Sequence, residues 1–384
     1  MTAQQALSAL PDDWSDALLL GRLLLPAGPT PVMLRQGRVY DISAHAATSS
    51  DFLSGWNGTV PKGRDLGPVE DLPWTTMWEG AAAGRTKLLT PIDLQCIKAS
   101  GVTFAVSAIE RVIEERARGD AASANFIRAG LKERVGADIR SVKPGSGEAE
   151  MLKQALIADG LWSQYLEVAI GPHAEIFTKA QPLSAVGWGD WIGVRGDSHW
   201  NNPEPEIVLV VAPDGRIVGA ALGNDVNLRD FEGRSALLLG EAKDNNASCA
   251  IGPFIRLFDD KFTLDDVRSA VVGLEIEGED GFVLKGESSM DQISRDPTEL
   301  VSQALSHHDY PDGFALFLGT MFAPTQDRDA LGQGFTHKRG DIVRVSTPRL
   351  GTLENKVTAA ADAPRWTFGL SDLMRNLAGR GLLA

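Results

Sequence analysis

Hydrophobic and polar positions change period along the chain, and the changes divide it. In residues 14–43, Val32-Met33-Leu34 and Val39-Tyr40 flank Gln36-Gly37, a pattern that predicts short strands joined by a turn. Residues 55–85 are rich in Gly, Pro and Trp and carry no period, so the boundary of a small N-terminal domain (1–86) is placed there, with a larger domain over 87–384. In GVTFAVSAIERVIEERARGD, Val106, Ile109, Val112 and Ile113 recur at helical spacing, with Glu110, Arg111, Glu114, Glu115 and Arg116 on the other faces. Those charges suit a solvated helix face. Two further amphipathic helices are expected over 123–135 and 148–158.

From Leu166 the pattern turns strand-like, with Leu166–Ile170 and Glu175–Lys179 read as strands. Two long apolar runs, Ile207–Val211 and Ile217–Leu222, stand either side of the turn Pro213-Asp214-Gly215. A short helix is expected over 231–240, and further strands over 271–276, 281–284, 313–318, 341–345 and 352–357, with Gly278 and Gly340 in turns. The pattern predicts an α+β protein with a β-rich larger domain.

Composition narrows this picture. The 40 glycines in 384 residues favour a turn-rich, strand-dominated chain over a helical bundle. A net charge of −14 argues against nucleic acid or an anionic membrane as partner, and requires a locally positive site for any anionic substrate. Two cysteines, Cys96 and Cys249, make no disulfide framework and fit a reducing compartment. The first residues lack a basic segment followed by an apolar one, and no apolar run approaches the roughly 20 residues of a membrane helix. The expectation is a cytoplasmic protein.

The candidate chemistry gathers around the paired apolar runs. Glu204 and Glu206 lie two apart at the start of the first run, so on a strand they share a face. The second run returns and delivers Asp225 to the same end. Three converging carboxylates repel one another unless a cation sits among them, and all-oxygen ligation suits Mg²⁺ or Mn²⁺. The alternative is two solvated strand-edge glutamates and a turn aspartate. Lys243 is either a surface charge or, facing such a cation, a base. Thr320 either binds a substrate carboxylate or caps the backbone. Glu175, Phe177 and Lys179 alternate along one strand face. No GxSxG elbow, CxxC pair, P-loop or HExxH motif is present.

NPEPE, GNDVNLRD, Lys243 with Ile251-Gly252-Pro253 downstream, FLGT and KRGDIVRVSTPRLGTLENKV occur in this order. Together they resemble the fumarylacetoacetate hydrolase family over roughly residues 91–357. The resemblance implies a mixed β-sandwich roll and a Mg²⁺ ion, with Mn²⁺ or Ca²⁺ as alternatives, on Glu204, Glu206 and Asp225. It further implies that Lys243 is the active-site lysine, that Thr320 contacts a small 2-keto acid substrate, and that the chain assembles as a homodimer or homotetramer. Hydrolytic members carry a catalytic His, assisted by a Glu, in the segment matching GVTFAVSAIERVIEERARGD. Here no His falls between His45 and His173.

That departure resembles the branch of the family that dehydrates 2-keto-3-deoxy sugar acids. In that branch a Glu on a PE(I/L)F-x-K strand acts with the lysine. The matching positions are Glu175, in AEIFTK with Ala174 replacing the Pro, and Lys243. The implied reaction is Mg²⁺-dependent dehydration of a 2-keto-3-deoxy-D-pentonate to 2,5-dioxopentanoate. One of Glu175 and Lys243 removes the C3 proton and the other protonates the departing C4 hydroxyl. Ser107, Arg111 and Glu114 either close over the substrate or lie on a plain surface helix. A C–C hydrolase or decarboxylase of diketo acids, using the same metal, is disfavoured by the missing His. A non-catalytic sugar-acid-binding protein is disfavoured by the intact Glu175 and Lys243.

Overall fold

The computed structural model describes residues 7–79, 86–124, 127, 142–331 and 333–383. Strands β1 (Leu19–Leu25), β2 (Gly28–Arg35), β3 (Arg38–Asp41) and β4 (Arg64–Pro68) pair antiparallel in sequence order. Gln36 and Gly37, both at positive φ, close the β2–β3 hairpin, the backbone that a two-residue turn between twisted strands requires. Helix α1 (Ser49–Ser54) follows β3, its first turn capped by the Thr48 side chain. Strand β5 (Lys87–Leu89) pairs with β1, and β6 (Cys96–Gly101) leads into helix α2 (Ala105–Ala117). Helices α3 (Gly147–Ala158) and α4 (Gln164–Ile170) precede β7 (Glu175–Ala180).

Next in the chain come β8 (Trp191–Val194), β9 (Asn201–Asn202), β10 (Pro205–Val211), β11 (Ile217–Asp225) and β12 (Asn227–Leu228). Two short helices, α5 (Arg229–Glu232) and α6 (Leu239–Lys243), precede β13 (Cys249–Leu257). The remainder contains α7 (Leu264–Arg268), β14 (Val271–Glu277), β15 (Val283–Ser289), α8 (Pro297–Leu305), β16 (Phe314–Phe317), β17 (Ile342–Thr347), β18 (Gly351–Ala359) and α9 (Leu370–Gly379).

The larger sheet runs β4-β3-β2-β1-β13-β11-β10-β16-β6-β7, with β5 on β1, and the smaller runs β15-β14-β17-β18-β8. Because β1 pairs with β13, one sheet spans both sides of residue 86. Ile207, Leu209, Leu222 and Phe254 bury one face of its centre against Leu274, Val345 and Leu353 of the smaller sheet. Val208, Val210, Ala221 and Ile255 bury the opposite face with Met33, Ile97 and Phe317. A strand buried on both faces has no polar face to alternate with, which is why β10 and β11 read as continuous apolar runs. The smaller sheet alternates instead, as β14 does. Among the described residues, no helix is long and apolar enough to cross a membrane.

Three sequence expectations need adjustment. Leu166–Ile170 forms helix α4, not a strand: Ser163 caps its N-terminus, and Tyr165, Leu166, Ala169 and Ile170 form one buried helical face. The helix expected over 231–240 is divided between α5 and α6. The helix expected over 123–135 falls largely outside the described residues.

Candidate metal centre and acid–base cavity

The β10–β11 hairpin carries the three carboxylates to its open end. Pro205 pairs with Asn224 and Glu206 with Gly223, and the Asp225 N–H donates to the Glu204 carbonyl at 3.0 Å. This register places a carboxylate oxygen from each of Glu204, Glu206 and Asp225 within 4.8 Å of the others. All three residues are buried. The solvated strand-edge reading is thereby excluded.

Each carboxylate has different partners. Glu204 pairs with Lys243 through one oxygen and with Arg111 through the other. Asp225 accepts from Lys243 Nζ at 3.0 Å and from Lys179 Nζ at 2.8 Å. Glu206 is held by neutral donors, the Gly319 N–H at 2.7 Å and the Thr320 hydroxyl at 3.3 Å. Burial pushes the Glu204 carboxyl up, but Lys243 and Arg111 outweigh it and hold it at about 2. Burial, reinforced by Asp225 and Glu204, drives Glu206 well above the usual carboxylate range.

Helix α6 ends at Lys243 and points the amine back to the hairpin. Burial lowers the affinity of this amine for its proton, yet Asp225, Glu204 and Glu232 outweigh that effect and hold it above the ordinary lysine range. The Phe177 ring lies 5.9 Å from the amine. Glu175 stands two residues before Phe177 on β7. Burial, and then the nearby Glu232 carboxylate, push its carboxyl up to about 7.

One cavity is lined by Glu175, Lys243, Thr320, Arg111, Glu204 and Asp225, together with Glu232, Phe177 and the Ser100–Val102 stretch. Its volume is about 10 Å³, room for about one water. The structure thus gathers most of the residues singled out from the sequence. Ser107 is buried on α2 but does not line the cavity, and Glu114 sits behind Arg111, bonding its Nη1 at 2.7 Å. No histidine lines the cavity.

The structure corrects the expected solvated face of α2 in part: Arg116 is exposed and Glu115 partly so, but the other three charges are not. Glu110, Arg111 and Glu114 are buried because α5 packs against them. Arg229 of α5 bonds Glu114 at 2.6 Å and Glu110 at 3.1 Å, while Arg111 reaches back to Glu232 at 3.2 Å.

Sequence reasoning gave no role to Lys179, Arg229 or Glu232. The alternation Glu175, Phe177, Lys179 was a usable signal for Lys179. Nothing in the local spacing marked Arg229 or Glu232, whose charged partners Glu110, Glu114 and Arg111 lie more than a hundred residues away in the chain.

The charges test whether a cation fits. Glu206 is buried beside Glu204 and Asp225, and the donors that bond it, the Gly319 N–H and the Thr320 hydroxyl, are neutral. Buried uncompensated charge is costly, and a hard divalent cation on the three clustered oxygens offsets most of it. The donor set fits Mg²⁺ chemistry.

Comparison with known proteins agrees with this architecture. Residues 169–358 match the fumarylacetoacetate (FAA) hydrolase C-terminal model, and that segment is a domain of this family. A probable 2-keto-3-deoxyxylonate dehydratase of Haloferax volcanii is 34% identical over 194 residues, 50% of this chain and 63% of the relative. A 2-dehydro-3-deoxy-D-arabinonate dehydratase of Saccharolobus solfataricus is 32% identical over 189 residues, 49% of this chain and 60% of the relative. The match therefore spans less than two thirds of either relative. A solved 2-keto-3-deoxy-D-arabinonate dehydratase complexed with magnesium and 2,5-dioxopentanoate superposes with a TM-score of 0.63 at 22% identity, covering 89% of this chain and 99% of that one. At that identity the likeness is one of fold.

Proposed function

We propose that this chain, which carries a fumarylacetoacetate hydrolase family C-terminal domain in residues 169–358, dehydrates a 2-keto-3-deoxy-pentonate to 2,5-dioxopentanoate with the help of Mg²⁺. The observation that carries this reading is the pairing of a buried three-carboxylate cluster with Glu175 and Lys243 in a cavity that no histidine lines. Glu204, Glu206 and Asp225 would hold the ion. When bound, Mg²⁺ supplies Lewis acidity that draws electron density from a 2-keto group. The dehydratase relatives and the magnesium complex of the similar fold support the same chemistry.

The protein groups then divide the proton transfers. Glu175, poised near neutrality, takes the C3 proton in its carboxylate form. The Lys243 ammonium, seated between Glu204 and Asp225, gives a proton to the C4 hydroxyl as the C4–O bond breaks. Loss of water leaves a C3=C4 double bond; a proton shift from C5 to C3 gives the C4=C5 enol, and transfer of its hydroxyl proton to C4 yields the dioxo acid. The Thr320 hydroxyl, beside Glu206, is placed to contact the substrate carboxylate. A cavity of about 10 Å³ does not admit a five-carbon acid, so side chains that line it must move when substrate enters.

The test is product identification. Protein supplied with 2-keto-3-deoxy-D-pentonate and Mg²⁺ is expected to form 2,5-dioxopentanoate, followed through a coupled semialdehyde dehydrogenase. Release of two carbon fragments or CO₂ from an acylpyruvate, with no product from D-xylo or L-arabino substrates, would overturn the assignment.

A further inference from the structure

On strands β6 and β7, Gly101 stands directly opposite Glu175. Residues opposed in this way project to the same face, their side chains normally standing beside one another. Here the Glu175 side chain instead folds over the glycine: a Cβ on Gly101 would lie 1.9 Å from Glu175 Oε2 and 2.7 Å from its Cδ. The Gly101 φ is not in the left-handed region, so the backbone itself does not require glycine. The nearest atoms that a Cβ meets all belong to this one side chain.

We infer that Gly101 is a positioning residue: the space left by its missing side chain is where the Glu175 carboxylate lies, and this fixes the acid–base group in the cavity. The inference rests on the proposed role of Glu175. Glu232, Arg111, Lys243 and Glu204 are the charged groups that act on this carboxyl. A carboxylate moved away from Gly101 changes its distance to each of them and to the C3 proton of a bound acid. Because the clashing atoms are the far end of a flexible side chain, an added methyl displaces them without rebuilding the strands.

The experiment uses Gly101→Ala in the full chain. A misplacement of about 1 Å costs up to about 100-fold, so kcat is expected to fall about 10- to 100-fold. KM and the Mg²⁺ midpoint should stay within about two-fold, because uniform binding is not removed. Glu175→Asp, with a shorter reach, should cost less in the Gly101→Ala background than in the wild type. A crystal structure of Gly101→Ala should show the carboxylate moved by about 1 Å or more, the shift that relieves a 1.9 Å approach.

Folded Gly101→Ala with wild-type kcat, or with the carboxylate unmoved, overturns the inference. If Gly101→Ala fails to fold, Gly101→Ala/Glu175→Ala should fold, and its failure overturns it as well. Wild-type turnover by Glu175→Gln would instead remove the proposed role of Glu175, and the crystal structure would still decide whether Gly101 sets the carboxylate position.

Discussion

Arginine–glutamate pairs occur in two settings in this protein, with different consequences. On the outer face of the smaller sheet, Arg344 of β17 bonds Glu277 at 2.9 Å and Glu354 at 2.5 Å, with side chains 22–46% exposed. Between α2 and α5, Arg229 bonds Glu114 at 2.6 Å and Glu110 at 3.1 Å, with side chains 1–8% exposed. The bonds are alike in length, but water screens the first set and not the second. Exposed pairs contribute about 0–1 kcal/mol. Removing one member of a buried pair strands its partner without solvent. Charge on the sheet is therefore dispensable decoration of an apolar framework, whereas charge between the helices forms the wall behind the cavity.

The largest expected effect breaks the buried side of that comparison. Arg229→Met removes the buried guanidinium shared by Glu110 and Glu114, leaving Glu114 with Arg111, and should destabilise the protein by about 3–5 kcal/mol in urea unfolding. A loss below about 1 kcal/mol would mean that water reaches the α2–α5 interface.

A middle-sized effect comes from Glu175, whose carboxyl is raised to about 7 chiefly by burial and then by Glu232. The folded protein holds this proton more tightly than the unfolded chain does. The stabilisation from the neutral carboxyl is thus complete below about pH 4.5 and is lost as pH rises through about 7. In EDTA, the melting temperature of Glu175→Gln should gain on that of the wild type between these values. Parallel curves across that window would show a carboxyl with an ordinary pKa.

The smallest effect sharpens the other side: Arg344→Ala should change stability by less than about 1 kcal/mol and leave turnover intact.

The same contrast explains what could be read from the sequence. The β10–β11 hairpin was legible because two long apolar runs around Pro213-Asp214-Gly215 allow few other arrangements, and the positions of Glu204, Glu206 and Asp225 follow from its register. The β-rich architecture followed from the same patterning. Helix α4 was misread because a five-residue stretch with four apolar positions, interrupted only by Glu167, fits a strand or a buried helix equally, and the capping Ser163 lay outside it. The Glu110–Arg111–Glu114 side of α2 was misread because charge ordinarily signals solvent. Its burial depends on Arg229, 119 residues from Glu110 and 115 from Glu114. Glu232 and Lys179 belong to the same class, since their meaning comes from partners that only the fold brings near. Gly101 offered no signal at all until β6 and β7 were paired.

The proposed metal-dependent chemistry depends on the carboxylates at the end of that hairpin. The most direct measurement titrates Mg²⁺ into metal-free wild-type protein and Glu206→Gln, following formation of 2,5-dioxopentanoate from 2-keto-3-deoxy-D-pentonate. The wild type should be inactive in EDTA and recover saturably with Mg²⁺, while Glu206→Gln, lacking one of the three clustered carboxylates, should form little product at any Mg²⁺ concentration that saturates the wild type. Undiminished wild-type turnover in EDTA, or wild-type rates from Glu206→Gln, would contradict it.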